Sequence, residues 1–109
     1  MIKTITLSQE LHDAISTGKL LLVDFYADWC EPCKWLDVIL KEIDDSDAVE
    51  VEIVKVNTDQ HLDLTQEFNL RSVPVLMVFK EGKLQWRMNG FMTTDEMIAI
   101  LVSISRGTG

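Results

Sequence analysis

The run Leu20-Leu21-Leu22-Val23-Asp24-Phe25-Tyr26, followed by Ala27-Asp28-Trp29-Cys30-Glu31-Pro32-Cys33-Lys34, decides the architecture. Its first part is almost continuously apolar and lacks two-residue alternation, the pattern of a strand covered on both faces at the centre of a parallel sheet. Asp24 alone interrupts it. Beyond Cys30 and Pro32 the apolar residues Leu36, Ile39, Leu40 and Ile43 recur at threes and fours, marking one face of a helix that runs to about Asp44. Strand therefore passes into helix at the cysteines. Ligand chemistry in open α/β sheets gathers at such strand ends.

Toward the N-terminus, Ile2 to Thr6 alternates as a strand, and Ser8 opens a helix, Gln9 to Thr17, that Gly18 stops. In the other direction β-branched Val49 to Asn57 reads as a strand, His61 to Phe68 as a short helix and Val75 to Phe79 as a strand. Glu81-Gly82 is a turn too tight for a parallel crossover, so Lys83 to Asn89 is expected to pair antiparallel with the strand before it. Thr93, with Glu96 three residues on, makes a capping box for a last helix from Thr94 to about Ser105; Arg106 to Gly109 are expected to fray. The order βαβαβαββα predicts an α/β layered fold with a mixed sheet.

With 109 residues, 47% of them apolar, and only five Gly and two Pro, the chain has material for one packed core and no low-complexity tract. Residues 1–109 are therefore expected to form a single domain, and a monomer. Eighteen acidic against ten basic residues give a net charge of -8 without a basic cluster, which sets nucleic-acid binding aside. The longest apolar runs, Leu20 to Val23 and Val73 to Phe79, fall far short of the roughly 20 residues of a bilayer span, so no membrane partner is expected. Met1-Ile2-Lys3-Thr4 has neither the charged start nor the long apolar stretch of a secretory signal, and the expected localisation is cytoplasmic.

Cys30 and Cys33 are the two cysteines of the chain, and a disulfide between them closes so small a ring that it removes little entropy from the unfolded state. A pair that does little for stability is there for reactivity. At a helix N-terminus, unpaired N–H groups and the helix dipole stabilise an anion, which lowers a thiol at Cys30 from about 8.5 toward about 7. Cys33, one turn in, is expected to be shielded and less acidic. Pro32 fits the first turn because its missing N–H would have had no helical partner. A C-x-x-C can also be half of a zinc site, but there is no second such motif, and His12 and His61 stand alone without ligand spacing. No metal is expected, and both histidines read as solvated surface residues.

Asp24 is the second informative residue. A carboxyl inside a doubly covered strand loses hydration, so its pKa is expected to rise, and from the strand end it could exchange a proton with the Cys33 thiol. The other reading is a structural acid bonded to a lysine, with Lys55 on the neighbouring strand as the candidate partner.

The segment Val23 to Lys34 resembles the active-site segment of the thioredoxin family. Lys55 in Val54-Lys55-Val56-Asn57, Pro74 in Arg71-Ser72-Val73-Pro74, the turn at Gly82 and Gly90 before the last helix fall at matching positions, so the resemblance covers almost the whole chain. It implies a thioredoxin fold, a central five-stranded mixed sheet of order 1-3-2-4-5 flanked by four helices. It also implies dithiol-disulfide exchange on disulfide-containing protein substrates, no bound cofactor, recharging by a thioredoxin reductase, and a cis peptide at Val73-Pro74. In that scheme Cys30 and Cys33 form the redox disulfide: Cys30 attacks as thiolate, Cys33 resolves, and Asp24, tuned by Lys55, takes the Cys33 proton. The family groove carries over to Trp29, Val73, Pro74 and Gly90, with Glu31 and Pro32 at its rim. The backbone of Val73 is left free to pair in β fashion with an extended substrate.

Two positions depart from the family pattern. Glu31 stands where glycine is usual. With a thiol pKa near 7, thiolate stabilises the reduced form at pH 7 by about RT ln 2, roughly 0.4 kcal/mol or ~9 mV, so even abolishing that effect changes the potential little. Glu31 is expected instead to act with Asp28 on partner choice, disfavouring acidic partners, with Lys34 offsetting part of the charge. Asn89 and Phe91 flank Gly90 where small apolar residues are usual; Phe91 either widens the apolar rim or turns inward against the last helix. The rival functions are a disulfide oxidase or isomerase and a non-catalytic binding module using the same groove.

Overall fold

Nine elements follow one another in the computed structural model, which describes residues 1–107. They are β1 (Ile2–Thr4), α1 (Ser8–Ser16), β2 (Leu21–Tyr26), α2 (Glu31–Asp45), β3 (Glu52–Asn57), α3 (Leu62–Glu67), β4 (Val75–Lys80), β5 (Lys83–Asn89) and α4 (Thr94–Ser105). The five strands form one sheet in the order β1-β3-β2-β4-β5. β2 lies at its centre, parallel to β3 and antiparallel to β4.

The apolar run of β2 explains that position. Leu21, Val23 and Phe25 point into a core shared with Ile5, Leu11, Leu64 and Phe79, on the side of α1 and α3. Leu22 points the other way, into a core built with Leu36, Leu40 and Ile43 of α2 and Met97 and Leu101 of α4. A strand that fills two cores can only be central. Each such side chain stabilises the fold by about 1.5–3 kcal/mol on burial, enough together to outweigh one buried carboxyl that keeps its proton.

Local chemistry sets the element ends. Glu81 (φ 56°) and Gly82 (φ 77°) both adopt left-handed backbone, the turn whose twist suits a two-residue hairpin between β4 and β5. At α4 the Thr93 hydroxyl accepts the Glu96 N–H at 3.2 Å, while Glu96 accepts the Thr93 N–H at 3.1 Å, completing the expected capping box. β1 ends sooner than its alternation suggests because the Thr6 N–H goes to the Glu10 carboxylate at 3.0 Å. β3 starts at Glu52 rather than Val49, where the Glu52 N–H first reaches Leu20 O at 3.1 Å. Arg106 and Gly107 still donate to Val102 O and Ile104 O at 3.1 and 2.9 Å, so the expected fraying does not begin at Arg106. Thr108 and Gly109 lie outside the described residues.

Of the two histidines expected to be solvated, His12 is at the surface and His61 is not. His12 bonds Glu67 at 2.8 Å, tying α1 to α3, and His61 is buried with Nδ1 3.1 Å from the Ser8 hydroxyl. His61 is the N-cap residue of α3, just before its first turn, and meets the start of α1, which helical periodicity could not reveal.

Candidate active site

Right after the C-terminal end of β2 the chain turns once and enters α2. Cys30 is the N-cap of that helix, with extended backbone, and its Sγ accepts the Cys33 N–H at 3.2 Å. A sulfur in that place satisfies a donor the helix leaves orphaned, and the same donors favour a negative sulfur. Cys30 and Cys33 are joined as a disulfide, with Cα atoms 5.3 Å apart. Burial does not distinguish them: each is 4% exposed in this state, so the expected extra shielding of Cys33 is not seen. What differs is position, one at the helix mouth and the other a turn inside. Pro32 occupies the first turn, where no helical partner for an N–H exists. Tyr26 and Val73 pack against the pair.

Asp24 sits in the middle of β2, fully buried, with neither carboxylate oxygen hydrogen-bonded among the described residues. Loss of hydration pushes it up to about 7, against the pull of the Lys55 cation and with a further push from Asp37. Lys55 is its register partner on β3, yet the ammonium ion-pairs with Asp37 of α2 and lies 4.5 Å from the Tyr26 ring centroid. The reading of Asp24 as a structural acid bonded to Lys55 is therefore corrected: the lysine bonds elsewhere. Asp37 is a site residue that sequence reading missed.

Three loops close around the disulfide. Trp29 is 71% exposed, and its indole N–H donates to Asp59 Oδ2 at 3.0 Å, latching the cysteine turn to the loop after β3. Asp59 was legible in principle, since the parallel pairing of β2 and β3 brings Tyr26 opposite Asn57 and so carries both loops to one edge. Val73-Pro74 is a cis peptide, as the resemblance implied. Pro74 O accepts the Gly90 N–H at 2.8 Å, and Gly90 has φ 105°, a backbone shape that side chains resist. A groove of about 130 Å³ runs between Trp29 and Val73, lined also by Thr58, Thr65 and Leu70. A larger cavity of about 350 Å³, between β1, α1 and the start of β2, is far along the sheet from the sulfurs and belongs to no part of this site. Glu31 is exposed and paired with Lys34 at 3.0 Å, and Phe91 packs inward on the α2–α4 core, the second of its two readings.

Among the described residues no cluster of His, Cys, Asp or Glu could hold a metal, and no helix is long and apolar enough to cross a membrane.

The thioredoxin family model matches residues 3–103. The chain belongs to the thioredoxin family. It is 38% identical over 100 residues to the thioredoxin of Mycoplasmoides gallisepticum, covering 92% of this chain and 99% of that protein. It is 37% identical over 92 residues to thioredoxin 1 of Chlorobaculum tepidum, covering 84% and 91%. Among solved structures, chloroplastic thioredoxin z superposes with a TM-score of 0.87 at 28% identity, covering 97% of this chain and 96% of that one. A mutant thioredoxin from Halobacterium salinarum gives 0.83 at 27% identity, with 94% and 88% covered. This family member is thus a thiol-disulfide oxidoreductase whose Cys30–Cys33 pair carries dithiol-disulfide exchange; the oxidase, isomerase and non-catalytic readings are not favoured. Thioredoxins act on disulfide substrates and are reduced by thioredoxin reductase.

Proposed function

We propose that this chain reduces protein disulfides with Cys30 as attacking thiolate, Cys33 as resolving thiol and Asp24 as the group that takes the Cys33 proton. The observation that carries this reading is the hydrogen bond from the Cys33 N–H to Cys30 Sγ at the mouth of α2, which favours charge on that sulfur. Cys30 thiolate bonds to one sulfur of the substrate disulfide and the other leaves as thiolate. Asp24 as carboxylate accepts the Cys33 proton, Cys33 thiolate bonds to Cys30 Sγ, and the substrate sulfur leaves with the electron pair. The substrate gains two electrons, and the dithiol becomes the Cys30–Cys33 disulfide.

Trp29, Val73, Pro74 and Gly90 form the docking groove in this reading, with Glu31 and Pro32 at the rim. An extended substrate segment adds to the backbone of Val73, which the cis Pro74 turn presents beside the disulfide. We further propose a single domain that works as a monomer, without a bound cofactor, in the cytosolic electron-transfer chain fed by a thioredoxin reductase. A compartment that keeps thiols reduced suits a dithiol that must be recharged after each turnover. Lys55 acts on the field at Asp24.

Cys33→Ser is expected to stop the reaction after the first step and to accumulate a mixed disulfide between Cys30 and insulin on a non-reducing gel, while wild type reduces insulin in the presence of NADPH and a thioredoxin reductase. If the variant captures no insulin chain although iodoacetamide still alkylates Cys30, the assignment of roles is wrong.

A further inference from the structure

Three charged or chargeable groups meet on the α2 side of β2 and β3. Asp24 and Lys55 are direct register partners in the parallel pair, so their side chains leave the sheet on the same face. Asp37 comes from α2, four residues and about one turn beyond Cys33, hence on the same flank of that helix as the resolving sulfur. Register alone would give the Lys55 ammonium to Asp24. Instead the side chain, 16% exposed, reaches outward to the half-exposed Asp37 carboxylate and lies over the Tyr26 ring. Asp24 keeps no hydrogen-bond partner among the described residues.

A lysine bonded directly to a buried carboxylate holds it ionised and ties up its lone pairs, which suits a structural ion pair and hinders a group that must take and return a proton. The other elements on that face supply no competing charge: the β4 register partner of Asp24 is Leu76, α4 contributes Met97 and Leu101, and Cys33 of α2 is held in the disulfide. Lys55 and Asp37 are the charges that act on Asp24, one pulling its pKa down and the other pushing it up.

We propose that Asp37 is a positioning residue of the exchange reaction: by engaging the Lys55 ammonium it keeps that cation off Asp24, leaving the buried carboxyl free to receive and return the Cys33 proton. This rests on the proton-transfer role given to Asp24 above. Two routes operate in the same direction. Asp37 opposes ionisation of Asp24 as a like charge through space, and it weakens the opposite charge by drawing the ammonium away.

The titration of Asp24, followed by its carboxyl carbon resonance in isotope-labelled oxidised protein, separates these routes without needing activity. Asp37→Asn is expected to move the midpoint downward by about one pH unit, with the pH profile of mixed-disulfide resolution moving with it. Asp37→Glu, which keeps the charge, is expected to restore both. In a Lys55→Gln background, Asp37→Asn is expected to produce less than half that displacement, because the mediator is gone. An unmoved midpoint in Asp37→Asn, or an equal displacement in both backgrounds, overturns the proposal. If Cys33→Ser still traps insulin in that event, only the role of Asp37 falls; if it traps nothing, the proposed catalytic roles fall and the positioning role falls with them.

Discussion

The start of α1 and the middle of β2 each hold a carboxyl group, and the two are displaced in opposite directions. Glu10 lies at the surface, partly covered, and collects donors: the Lys3 ammonium at 2.7 Å, the Leu7 N–H at 2.8 Å, the Thr6 hydroxyl at 2.9 Å and the Thr6 N–H at 3.0 Å. The Lys3 bond, followed by the backbone donors, brings it down to about 2. Asp24 is fully buried with no hydrogen-bond donor among the described residues, and burial takes it up to about 7. The contrast separates two uses of one functional group. Donors in a solvated place turn a carboxylate into a fixed clamp on a helix start. Burial without donors leaves a carboxyl that changes charge near neutrality, as the proton-transfer role proposed for Asp24 requires.

Stability against pH breaks or sharpens this contrast most directly. Between its ordinary value near 4 and about 7, Asp24 holds its proton in the folded chain and loses it in the unfolded one, so its contribution is full below pH 4 and is lost as pH rises through 7. Asp24→Asn copies the protonated form at every pH. Urea unfolding is expected to find the variant more stable than wild type by about 4 kcal/mol at pH 8, with the two converging below pH 4. Equal stabilities at pH 8 would mean that Asp24 is ionised and partnered in the folded state. Glu10 runs the opposite way, its contribution being present above its unfolded value and lost as pH falls through about 2. Glu10→Gln is expected to lower the thermal midpoint modestly at pH 7 and to match wild type as pH approaches 2.

A third carboxylate, Glu31, calibrates the small end. It is exposed, with only Lys34 against it, so Glu31→Gly is expected to change the redox potential by less than about 20 mV. Its effect belongs in the rates with charged partners, and in how salt changes them. A several-fold larger potential change with unaltered partner rates would show that the turn, not the rim charge, is what glycine alters.

Much of this was readable from residue order. An apolar run without alternation suits a central strand, and a charged residue inside it announces either a partner or a displaced pKa; the raised value of Asp24 was expected on that ground. The position of Cys30 at the helix mouth followed from the period of Leu36, Ile39, Leu40 and Ile43. Asp37 was invisible because on a helical wheel it is an ordinary polar residue beside that apolar face, and its meaning depends on how α2 lies across β3. Lys55 was seen as a neighbour of Asp24, and of its two readings the direct bond does not form, since strand register identifies neighbours without saying which way a long, flexible side chain turns. His61 was misplaced for a similar reason: a six-residue helix is too short to declare which end is covered.

Gly90 shows a different kind of requirement. A Cβ built there would meet nothing within 4 Å, yet the residue holds φ 105° while its N–H fastens to the cis proline loop. Volume is therefore not what the position selects. It selects handedness: a mirror-image amino acid would sit there about as comfortably as glycine, while any ordinary one, however small, would strain the backbone that holds the N–H on Pro74 O.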